Sequence, residues 1–184
     1  MVRRMRAFRR RWPRRLVGVF LAAALAVVAV WAVNPFNTAA RDLGARLWGR
    51  MAMAVPDAGM APTLPVGYEM VVDTRAYRRA APAPGDLLVY LHDREPRVGR
   101  VVAGSGQSVA LRLGDLFVDG ELQPPPEGLD LATGSGRGRD LEETPVPPDH
   151  AFVLGDARDQ ATDSRHHGPV PRARWVGKVV AVRR

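Results

Sequence analysis

The stretch GDARDQATDSRHHG, Gly155 to Gly168, sets Asp156, Arg158, Asp163, Ser164 and Arg165 at fixed offsets between two glycines. It follows directly on the apolar run AFVL (151–154). Surface loops rarely combine this much charge with this much turn chemistry. A guanidinium fork meets a carboxylate with two parallel bonds, so the composition predicts an internally paired loop that also clamps a neighbouring strand. Asp156, Asp163, Arg158 and Arg165 are therefore read as residues that hold the fold. His166 and His167 beside them read as solvated loop residues, and two adjacent histidines without carboxylate partners make no metal site. No metal or cofactor site is read elsewhere in the chain.

Outward from this loop the pattern is β. Short apolar runs at MAMAV (51–55), YEMVVD (68–73), DLLVYL (86–91), RVGRVVA (97–103), SVALRL (108–113), LFVDGELQ (116–123), AFVLG (151–155) and WVGKVVAVR (175–183) alternate with Pro and Gly. Runs of that length between turn signals predict a mainly β domain over 51–184. Asp119-Gly120 suits a two-residue hairpin turn that needs positive φ. Residues 121–147 read as a variable excursion, most of it surface loop. Its GSGRG (134–138) is no phosphate cradle, because no strand precedes it and no Gly-Lys-Ser/Thr opens a helix after it.

Towards the amino end the chemistry changes. The chain has 27 Lys and Arg against 19 Asp and Glu, a net charge of +8. Eight of the Arg lie within residues 1–15, and without them 19 basic residues face 19 acidic ones. A nucleic-acid reader carries its excess charge on the folded face, so this distribution argues against one. There is no cysteine, which excludes disulfides, thiolate metal sites and a Cys nucleophile. LVGVFLAAALAVVAVWAV (16–33) then runs 18 residues without a charge. As a helix it would be about 27 Å long, close to the apolar thickness of a bilayer. Arginine on the amino side alone sets the 1–15 arm in the cytoplasm and the remainder outside. A cleaved signal peptide is the competing reading, with Thr38-Ala39-Ala40 as its cleavage site. Phe36, Ala40, Leu43, Leu47 and Met51 recur at helical spacing, so 34–50 reads as a juxtamembrane helix, on the membrane surface or packed on its own domain.

With these parts in order, the chain resembles the signal peptidase I family, membrane-anchored serine proteases that remove signal peptides from exported proteins. Their last motif runs Gly-Asp-Asn-Arg-Asp, three residues, Asp-Ser-Arg, two residues, Gly. Gly155, Asp156, Arg158, Asp159, Asp163, Ser164, Arg165 and Gly168 match it, with Ala157 in place of the Asn. APGDLLVYL (83–91) is similar to the family's Pro-Gly-Asp strand, and VGRVVAGSGQSVAL (98–111) to its Lys-Arg-Val-Val segment, with Arg100 as the Arg. The resemblance implies a mostly antiparallel β domain on the outer face of the cytoplasmic membrane, behind one transmembrane helix. It also implies a Ser nucleophile, a Lys base kept neutral by burial, and an oxyanion held by a backbone N–H and a nearby hydroxyl.

The residues that should do this chemistry are replaced. The family's Ser-Gly-Ser-Met, one residue, Pro-Thr-Leu falls on Asp57, Ala58, Gly59, Met60, Ala61, Pro62, Thr63 and Leu64. The nucleophile position is thus Gly59, the base position Gly99, and the oxyanion-hydroxyl position Asp57. Glycine can neither attack nor take a proton, and an ionised carboxylate donates no hydrogen bond. Lys178 is the only lysine and sits in an ordinary terminal run; Ser105 and Ser108 have no base near them in sequence. The expectation is a signal-peptidase-like membrane protein that is catalytically defective and binds extended exported segments or accompanies an active signal peptidase. The alternative is a working signal peptidase with a non-standard nucleophile or base.

Overall fold

The computed structural model describes residues 48–126, 129 and 140–184, together with 18, 21 and 23–26. The chain divides into two units between residues 41 and 42. In the first, the described residues 18, 21 and 23–26 are helical. The apolar span expected over 16–33 lies mostly outside the described residues. Among those described, no helix is long and apolar enough to cross a membrane. The 1–15 arm also lies outside them. Of the helix expected over 34–50, only 48–50 are described, and Arg50 already belongs to a strand.

The second unit is built from antiparallel strands. Seven form one sheet in the order β1 (Arg50–Ala54), β2 (Glu69–Asp73), β11 (Trp175–Arg183), β3 (Leu87–His92), β4 (Glu95–Gly104), β9 (His150–Leu154) and β10 (Val170–Pro171). Four form a second sheet, β7 (Glu121–Gln123), β6 (Asp115–Val118), β5 (Ser108–Arg112) and β8 (Leu141–Pro145). One helical turn, α1 (Ser164–His167), follows β9. The interior strands β2, β3 and β9 are buried on both faces, which is why they read as unbroken apolar runs rather than alternating ones. Strand β1 lies at the edge and does alternate, turning Met51 and Met53 inward.

Alternation along β3 and β4 separates the core into parts. Val89 and Val98 join Met60, Leu64, Met70 and Val72 on one side. Leu88, Tyr90 and Val101 join Val153 and Trp175 on the other. Phe152, Leu154, Ala103 and Val109 carry the core under the four-stranded sheet. Asp119-Gly120 makes the expected hairpin turn, with φ of 53° and 80°. The excursion expected over 121–147 is not all loop, since β7 and β8 stand at its two ends. Strand β8, LEETP, has no apolar alternation and ends in a proline, as an edge strand tolerates.

Candidate functional site

The turn at Ala58–Met60 is a single 3-10 turn whose first N–H groups have no partner of their own. Asp57 caps it in extended conformation, its Oδ1 accepting from the Gly59 N–H at 2.8 Å. Met60 and Leu64 are wholly buried, so the turn is pinned to the core beneath it. Arg97 of β4 donates from Nη1 to the other Asp57 oxygen at 3.2 Å. This ion pair joins the turn to the strand that carries Gly99, two residues along and on the same face as Arg97. Arg97 was not singled out from the sequence, although its offset of two from Gly99 is the signal that finds it.

Neither glycine has free room. A Cβ at Gly59 would stand 2.9 Å from Asp57 Oδ1 and 3.2 Å from the Ala161 Cα. A Cβ at Gly99 would meet the Val153 Cβ at 3.1 Å. Val153 also donates its N–H to the buried Ser164 Oγ at 3.0 Å. Ser164 therefore bonds backbone beside Gly99. The Gly59 N–H is already engaged by a carboxylate, and that carboxylate is itself ion-paired with Arg97.

The motif residues around this turn are braced as their composition predicts. Arg100 grips Asp156 with two bonds, Nε to Oδ1 at 2.9 Å and Nη2 to Oδ2 at 2.7 Å. Thr63 donates to the same Asp156 Oδ2 at 2.5 Å. Asp163 caps α1 by accepting from the Arg165 N–H, takes two bonds from the Arg165 guanidinium, and accepts the Gly155 N–H at 2.9 Å. Gly155 must be glycine, because a Cβ there would fall 2.1 Å from the Ala161 Cβ and 2.6 Å from the Gly59 oxygen. Pro62 follows within the same turn region, between Met60 and Thr63.

Two expectations are corrected. Arg158 does not pair with a carboxylate: its carbonyl accepts from Arg165, while its buried Nε has no hydrogen-bond partner among the described residues. His167 is not a solvated loop residue. Its Nε2 lies 3.1 Å from the Tyr90 hydroxyl, and its ring stacks on His92 with centroids 4.4 Å apart. Burial first, opposed by a bond to the Gly168 carbonyl, holds the His167 pKa below the usual histidine range. His166 serves as the second half of the α1 capping box instead.

Relocated chemistry finds little support in this geometry. Lys178 Nζ is ion-paired with Asp86 Oδ1 at 2.6 Å. The hydroxyl sharing that carboxylate is Tyr77, at 3.1 Å from Oδ2. Burial, and then Asp86, push its pKa up, so it stays protonated. No group of three or more His, Asp and Glu gathers as a metal site among the described residues.

The domain is thus an antiparallel β scaffold with its motif residues gathered around one buried turn. Residues 11–183 match the family model of signal peptidase, peptidase S26, and the chain belongs to that family. It is 29% identical over 154 residues to a signal peptidase I of Leptolyngbya laminosa, covering 75% of this chain and 70% of that protein. It is 27% identical over 130 residues to the inactive signal peptidase IA of Staphylococcus aureus strain COL, covering 68% and 74%. A crystal structure of a signal peptidase I from Enterococcus faecalis superposes with a TM-score of 0.45 at 22% identity, covering 54% of this chain and 97% of that one. Other curated relatives are covered over as little as 36% of their length.

Proposed function

We propose that this signal peptidase I-like protein is catalytically defective. It is held by one membrane span over 16–33, with the β domain on the outer face, and binds extended segments of exported proteins or a partner such as an active signal peptidase. The observation that carries this reading is the Asp57 carboxylate on the Gly59 N–H, at a turn where glycine stands in the expected nucleophile position. Attack, proton transfer and oxyanion stabilisation each lack their group. Loss of the nucleophile alone lowers kcat by about six orders of magnitude in a serine protease of another fold. An inactive relative in Staphylococcus aureus supports the idea that this scaffold outlives its chemistry. Binding without cleavage suits the edge strand β1, which runs directly into the turn and can accept an extended segment as a further strand.

The test uses the purified full chain in detergent with a preprotein ending in Ala-x-Ala before its cleavage site. No product above a blank is expected, while a fluorescent peptide of the same segment binds and Ala52→Pro in β1 weakens it. Processing that Ser164→Ala or Lys178→Ala abolishes would instead establish the active alternative.

A further inference from the structure

Away from the Gly59 turn, a cleft of about 590 Å³ opens beside the ends of β4 and β9, with the β5–β6 hairpin and the Pro124–Pro126 run among its walls. That volume lies in the range of small-ligand sites. Its accessible apolar surface comes from Leu113, Leu116 and the prolines, which present no N–H, while Val101 and Leu154 lie buried behind it. Arg158 belongs to this lining. It differs from the other two arginines of the neighbourhood, for Arg100 is bound to Asp156 and Arg165 to Asp163. Arg158 Nε is buried with no hydrogen-bond partner among the described residues. A guanidinium keeps its proton and presents a rigid fork of donors, and with Nε closed off inside the protein it is the Nη end of Arg158 that is open to an anion in the cleft. Burial first, and then repulsion from Arg165, hold its pKa below the usual arginine range, against the attraction of the Asp163 and Asp156 carboxylates.

The rest of the lining narrows the choice of anion. Asp115 and Asp156 face the same cleft, which disfavours a doubly charged group such as phosphate. Asp115 can accept, and the Gln123 side-chain amide can pair, where a ligand brings backbone N–H and C=O groups. We propose that this cleft binds the free carboxylate of a peptide chain end, the carboxylate on Arg158 and the terminal apolar side chain beside Leu116 and the prolines. None of Asp57, Gly59, Arg97 or Gly99 takes part, so the outcome does not depend on the reading of that turn.

The test titrates the full chain in detergent micelles with acetyl-Ala-Leu-Ala carrying a free carboxylate, with the same peptide as its C-terminal amide, and with inorganic phosphate. Calorimetry and the Arg158 Nε–Hε resonance report binding. The acid is expected to bind saturably and shift that resonance, the amide to bind about tenfold more weakly or worse, and phosphate not to compete. Arg158→Leu should lose the preference for acid over amide, and Leu113→Trp, on an exposed turn at the cleft, should weaken the acid even if the first variant folds poorly. Equal binding of acid and amide, no binding of either, competition by phosphate, or unchanged acid binding in Arg158→Leu would each overturn the proposal.

Discussion

Gly59 and Gly99 are crowded by their neighbours although neither carries a side chain. The Asp57 carboxylate leans to within 2.9 Å of where a Gly59 Cβ would be, and it holds the Gly59 N–H. On the proposed assignment of these positions, placing Ser at 59 and Lys at 99 supplies two groups while leaving the Arg97-paired carboxylate at the third. Such a double variant is expected to process preprotein no faster than about a hundredth of the rate of a triple variant that also carries Asp57→Ser, given what one oxyanion donor is worth. Gel-based cleavage assays with the two proteins side by side check this. Gly155 makes the opposite case, a position where glycine is needed for close approach. Gly155→Ala should cost about 1–3 kcal/mol of stability through overpacking against Ala161 and the Gly59 carbonyl, measured by denaturant unfolding. The sequence displayed all three glycines in their motifs, but only the packing against Ala161 and the Gly59 carbonyl shows why Gly155 must be one. Nothing in the string said that Asp57 would reach the Gly59 N–H, because capping depends on where the chain turns.

Between elements, the ties were partly legible. Asp-Arg pairing within 155–168 followed from composition, and the clamp on a neighbouring strand proved to be Arg100 of β4 on Asp156. The pair is buried, with side-chain exposures of 16% and 4%. Removing one partner leaves an uncompensated charge inside, so Asp156→Ala should destabilise the domain by about 3 kcal/mol or more, read from the same unfolding curves. Most strands were visible as apolar runs because interior strands are covered on both faces. Strands β8 and β10 were not, since LEETP is polar and a two-residue bridge has no pattern to read. The unbonded Nε of Arg158 was hidden too, for sequence offers no way to tell which of several arginines grips a carboxylate.

Across the whole domain, titration offers a test of how α1 seats against the sheet. His167 lies between Tyr90 of β3 and His92, with its pKa lowered mainly by burial. The unfolded chain therefore takes up this proton first as pH falls below the ordinary histidine value, near 6.5. The contribution is complete above that value and is lost as pH drops through the lower folded one. The melting temperature should fall between pH 7 and pH 5, and His167→Asn should flatten that fall, as followed by circular dichroism. Mainly β architecture was legible in advance, whereas the division into sheets of seven and four strands depends on pairings between segments far apart in sequence. The Thr63–Asp156–Arg100 knot draws on three such segments and ties them together. Selection that preserves a sturdy frame will preserve those letters with or without turnover. A signature dominated by them therefore tallies architectures, and a census of hydrolases compiled from it will enrol members that never cut a bond.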